Sequence, residues 1–212
     1  MTIVGEVPKP VAELSTSSSA VDMLIERENG GTLILAEKDL RPNPDFAGNI
    51  QIGHSRLLCR AGDEACANEV MEKFAGGITR EQARKDFVRQ IGVFEREVQK
   101  QVKQPLTQGQ FDALVQVAFN GTGKRDFKEA VRLVNEEKFD EAALAILNTD
   151  LLSSSLGRRR FAEAALFKTG ESLSFRDTLK VKVKPGPNGS VVTTPKGSKA
   201  ERALQELRDK GR

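Results

Sequence analysis

A chain of 212 residues can bury one substantial core, and it suits a single domain with appendages better than two full domains. Its 38% hydrophobic and 30% charged content is that of a folded protein, not a disordered one. The net charge of +3 is too balanced for a nucleic-acid binder, although a slight positive excess suits an anionic polymer.

No apolar run approaches the roughly 18 residues that a membrane-crossing helix needs. The opening "MTIVGEVPKPVAELSTSSSA" has neither the basic segment nor the long apolar core of a signal peptide, so none is expected. Trp and Tyr are both absent, which leaves phenylalanine, eleven times, for any stacking on sugars or bases.

Residues 1–17, with Pro8, Pro10 and a serine run, read as a flexible N-terminal segment. From Ser18 or Ser19 the pattern predicts a helix that stops at the "NGG" of 29–31. "TLILAEKD" and "NIQIG", separated by the turn-rich "LRPNPDFAG", predict a small β-hairpin region. A short helix over "ACANEVMEKF" comes next, and "TREQ" at 79–82 is a capping box opening a long one, with Phe87, Ile91, Phe94 and Val98 on one stripe. After Pro105 a second box, "TQGQ" at 107–110, opens "FDALVQVAFN", apolar on most faces and therefore central to a core.

Three amphipathic segments follow, the last being "SLGRRRFAEAALFKTG", which Gly170 terminates. Beyond 171 the pattern changes to alternating residues around a Pro/Gly-rich turn, and then to a final helix of nearly all polar surface. Residues 171–212 thus read as a hairpin-and-helix appendage. Cys59 and Cys66 flank a Gly-Asp turn, so they are either two thiols or a small disulfide-closed loop. Two cysteines and one histidine without ligand spacing predict no metal site, and no cofactor is implied.

A helix ending in Glu-Asn-Gly, a β-region ending in Ile-Gly-His, then "PLTQGQFDALVQVAFNGTG" and "LGRRRFAEAALF", together resemble the phage-type lysozymes, the endolysin family of glycoside hydrolases. The resemblance runs over about residues 21 to 169. It implies an α+β, predominantly helical, lysozyme-like fold over 18–170, with a small β-hairpin lobe and a larger helical lobe. Glycosidic cleavage takes a carboxylic acid to protonate the leaving oxygen and a second carboxylate to position water or stabilise the sugar cation. A general acid needs a sheltered place, such as the end of a helix beside a core; Glu28, after Met23 and Ile25 and before "NGG", fits that, and it also reads as a solvated charge like Glu26. The resemblance puts the family's acid there as well.

The family pairs that acid with an Asp followed, after five residues, by a Thr. Here Asp45 leads to Gln51, which keeps a hydrogen-bonding tip but has no hydroxyl. The rival pairing is Asp39 with Asn49, since an insertion in the hairpin fits at either place; Asp45 also reads as a plain turn acid. His54, the lone histidine, reads as a structural residue that buttresses the β-region, as the resemblance implies. Asn120 is either a ligand for a sugar N-acetyl group, as in the family, or a helix C-cap. Arg158, with Arg159 and Arg160, either meets carboxylates of the wall polymer or pairs with acids of the chain.

The resemblance thus implies a monomeric muramidase acting on peptidoglycan in the periplasm or cell wall. It would be a phage endolysin or an antibacterial effector exported by a secretion system, with the appendage serving a secretion carrier or immunity protein. The alternative is a catalytically decayed module that binds wall or a protein partner.

Overall fold

The computed structural model describes residues 6–148, 154–186 and 189–208. These form two compact units, Leu24–Gly92 and, discontinuously, Met1–Met23 with Val93–Arg212. Two helices contribute residues to both. The α+β, mostly helical architecture expected from the sequence is the one observed.

The unit Leu24–Gly92 begins within α1 (Ser18–Glu28). That helix stops in a Schellman arrangement: Gly31 N–H donates to Glu26 O and Gly30 N–H to Arg27 O, with Gly30 at φ +69°. The predicted strand "TLILAEKD" does not form. The Thr32 hydroxyl accepts the Ile34 N–H in a local turn, Leu33 and Ile34 face solvent, and Glu37–Leu40 is a 3-10 turn. The sheet lies further along as β1 (Asn43–Pro44), β2 (Ile50–Ile52) and β3 (Arg56–Cys59), antiparallel in that order. Next come α2 (Glu64–Lys73), capped by Asp63, and the first half of α3 (Arg80–Gln101), which opens on the predicted box: Thr79 Oγ1 accepts from Gln82 N, and Gln82 Oε1 from Thr79 N. Leu24, Ile25, Leu35, Ile52, Phe87 and Ile91 fill the core. A Cys59–Cys66 disulfide, Cα atoms 5.9 Å apart, fastens β3 to α2.

The other unit is built round α4 (Gln108–Phe119), whose capping box closes through Thr107 and Gln110 and whose residues 111–118 are all buried. Around it lie α5 (Arg125–Asn135), α6 (Phe139–Leu147) and α7 (Ser154–Thr169), with α7 packed on α4 and α6. Residues 6–17 are not the flexible segment expected. Lys9 and Leu106 exchange backbone hydrogen bonds of 2.8 and 2.9 Å, Val11 and Leu14 are buried, and the Ser17 backbone and hydroxyl both donate to Asp112. Residues 1–5 lie outside the described residues.

The C-terminal segment packs against the same unit. It forms α8 (Phe175–Leu179), the hairpin β4 (Lys182–Gly186) with β5 (Gly189–Thr193), and α9 (Lys199–Arg208). The middle of the hairpin turn, residues 187 and 188, lies outside the described residues. Both β4 and α9 pack on α7, and α9 buries Ala200, Ala203, Leu204 and Leu207, an i, i+3, i+4, i+7 stripe inside a helix expected to present nearly all polar surface.

One close approach fixes the α4–α7 geometry. A Cβ on Gly109 would sit 2.7 Å from Gly170 Cα and 3.0 Å from Leu166 O, so backbone would have to move. Gly109→Ala should therefore destabilise by about 1–3 kcal/mol despite its better helix propensity. That corresponds to a fall in Tm of roughly 2–10 °C by calorimetry. Gly123→Ala, where a Cβ meets nothing within 4 Å, should leave Tm unchanged.

Candidate active site

Glu28 is the last residue of α1, half-buried, with its backbone held by the Schellman closure. Asn29 follows, and its Oδ1 lies 3.3 Å from Nδ1 of His54. His54 is buried between β2 and β3, in a tight turn in which Ser55 N–H donates to Gly53 O. Its ring meets Phe87 of α3 edge-on, centroids 5.4 Å apart. Gly53 has φ +66°, and a Cβ there would reach Ala83 Cβ at 3.2 Å, so glycine lets the turn press against α3. Its N–H donates to Asp39 O at 2.6 Å, which places Asp39 beside the histidine.

Asp45 opens the turn between β1 and β2. Its N–H donates to Asn49 O at 2.8 Å and its carbonyl accepts from Gly48 N at 3.0 Å, with Gly48 at φ +82°: a type I turn closed by a G1 bulge. The carboxylate braces the same turn. Oδ1 accepts from the N–H groups of Ala47 and Asn49 at 2.8 and 2.9 Å, and Oδ2 from Asn49 Nδ2 at 2.9 Å. The hydrogen bond from the Asn49 side-chain amide, opposed by desolvation and joined by backbone donors of Asn49, Ala47 and Gly48, holds the Asp45 carboxyl below its ordinary pKa. The other end of Asn49 accepts from Ala61 N at 3.1 Å, so both ends of that amide are engaged. Gln51 pairs with Asn43 and Leu57, and cross-strand partners share a face. Its side chain therefore stands on the opposite face from buried Ile52.

The remaining expected site residues belong to the other unit. Asn120 caps α4, and its Nδ2 reaches back to Gln116 O at 3.4 Å. Arg158 Nη1 donates to Leu179 O at 3.1 Å, bracing α7 against the end of α8. Arg159 pairs with Glu163 at 3.0 Å and lies 5.7 Å from the Phe119 ring. Arg160 is wholly buried between Asp126 and Glu163. The contacts the structure gives this basic run are thus with the chain's own acids, a carbonyl and a ring. In the sequence Asn29 reads only as a residue inserted between the acid and its glycine, and nothing there signals its contact with His54. No group of three or more His, Cys, Asp or Glu that could hold a metal occurs among the described residues.

Burial, reinforced by the nearby Arg84 charge and opposed by Asp39, pushes the His54 pKa below its ordinary value. As pH falls below about 6.5 the unfolded chain binds the proton before the folded one does. The stability His54 contributes is thus complete above that pH and is lost as pH falls toward the folded value. Urea midpoints between pH 7.5 and 5 should therefore drop more steeply in the wild type than in His54→Gln.

A family model described as phage lysozyme matches residues 38–163, more than half of the chain. The match takes in Asp39, Asp45 and His54 and starts after Glu28. No curated protein matches the chain. Among solved structures, an endolysin from Escherichia coli O157:H7 phage FAHEc1 superposes at a TM-score of 0.56 with 21% identity, covering 76% of this chain and 98% of its own. A mutant of P22 lysozyme gives 0.52 at 22% identity, covering 73% and 98%. The muramidase domain of SpmX from Asticaccaulis excentricus gives 0.51 at 27% identity, covering 72% and 97%. These structures share the fold. On the family match, the chain belongs to the phage lysozymes, glycoside hydrolases that at the family level act on peptidoglycan.

Proposed function

We propose that the chain is a muramidase, cleaving the β-1,4 bond between N-acetylmuramic acid and N-acetylglucosamine. Glu28 donates a proton to the bridging oxygen as the bond to the sugar breaks, and Asp45 stays ionised to hold the attacking water or face the developing positive charge. Gln51 assists by hydrogen bonding from the solvent face of the sheet. The observation that carries this reading is the Asp45 turn. Three donors fix the carboxylate in place and favour its charged form, which is what the second carboxylate of a glycosidase requires.

The same turn argues against the rival pairing, because the Asn49 amide is engaged at both ends in holding the hairpin. The exported-effector setting reads residues 171–212 as an appendage that serves a secretion carrier or immunity protein. With β4 and α9 packed on α7, a phage-type lysis enzyme is the simpler setting.

Clearing of purified peptidoglycan, followed by turbidity and by release of reducing ends, tests the reading. Glu28→Gln should lose at least about a hundredfold in rate. Asp45→Asn should lose a comparable factor, whereas Asp39→Asn should keep most of the activity. A reversed order would move the second role to Asp39. Wall binding by the wild type without reducing ends would establish the decayed module instead.

A further inference from the structure

Most residues of the turn that fixes Asp45 have a part in it, and Ala47 lends its N–H to the carboxylate. Asp at the first position supplies the carboxylate, Gly48 the positive φ, and Asn49 the amide that ties the turn to Ala61. Phe46, at the second position, does none of this. Proline is favoured there, and nothing in the backbone geometry asks for an aromatic ring. Yet Phe46 is the most exposed large apolar side chain among the described residues, at 114% relative accessibility. The backbone beneath it is braced by the turn's hydrogen bonds, and the ring stands in solvent.

We propose that Phe46 forms a glycan subsite, its ring stacking on the apolar C–H face of the sugar adjoining the one at Asp45. This rests on the muramidase reading, and distance is the reason. Neighbouring Cα atoms are about 3.8 Å apart. If the Asp45 carboxylate meets the reacting sugar, a ring on the next residue lies within about one sugar of it along the strand. The chemistry fits as well. A flat aromatic face suits a neutral pyranose ring, and a chain without Trp or Tyr has phenylalanine as its main surface for such contact. The adjacent anionic Asp45 would repel an anionic lipid surface, the other common occupant of an exposed aromatic tip.

Absence of Trp and Tyr also supplies the test. Phe46→Trp in a Glu28→Gln background places the sole indole of the full chain at the turn. Its emission should shift saturably on titration with peptide-free glycan strands and stay unchanged with phosphatidylglycerol vesicles. In otherwise wild-type protein, Phe46→Ala should raise KM for those strands about tenfold with kcat little changed, the mark of lost uniform binding. Unchanged emission at glycan concentrations that the wild type cleaves, or unchanged KM, would overturn the subsite. A response to vesicles and not to glycan would overturn it too. If the wild type fails to cleave but the indole still responds to glycan, the subsite stands and only the hydrolysis reading falls. If neither occurs, both fall.

Discussion

Within the unit Leu24–Gly92, the arrangement depends on how the end of α1 is joined to the small sheet. The Schellman closure fixes the backbone through Gly31, and the Asn29–His54 contact links that end to the β2–β3 turn. The turn can receive it because Gly53 allows close approach to Ala83 and because Phe87 covers the imidazole ring. The histidine meets Asn29 through Nδ1 and Phe87 through its ring edge. Burial favours its neutral form, and both faces of its turn are occupied. Glu28 gains a defined position because the residue after it is bonded and the two after that, Gly30 and Gly31, both hold the positive φ that closes the helix.

The Asp45 turn serves structure and chemistry with the same bonds. A carboxylate offers roughly four acceptor sites, and three donors of the turn are satisfied here while the side chain remains half-exposed. An aspartate that only braced a turn and one that also held a water would read alike in sequence. The turn-acid reading and the catalytic reading are thus compatible, and only the exchange of Asp45 for its isosteric amide separates them. That exchange keeps the shape and removes the charge.

What was legible in the sequence was what local chemistry decides. Both capping boxes close as their spacing implies, and the all-round apolar α4 is the centre of its unit. What was not legible depended on which surface another segment would cover. "TLILAEKD" has strand-forming residues, but only Leu35 is buried, and the strands form where Asn43, Gln51 and Leu57 line up. The helix from Lys199 looked polar because its charged residues outnumber the four apolar ones. Those four nonetheless fall on one stripe, and α7 supplies a surface for it. The second pairing has two readings in the sequence because an insertion in a hairpin leaves no mark of where it lies, and the two acids differ in surroundings: the Asp45 carboxylate accepts from its own turn, whereas the Asp39 carbonyl accepts from Gly53 N.

The arginine run shows the same limit more sharply. Three consecutive guanidinium groups suggest an anion site, yet desolvating even one is costly unless acids accompany it. The chain places Asp126 and Glu163 against Arg160 in a fully buried cluster, and Glu163 also serves Arg159. Removing either acid would leave charge unpaired in the interior, a loss of about 3–5 kcal/mol for a buried pair. The cluster therefore constrains α5 and α7 to one another whatever the substrate. Arg158, the member of the run with the most solvent-accessible partner, is tied to a carbonyl of the C-terminal segment. A run that reads as a ligand site is, residue by residue, what joins the helices of its own unit.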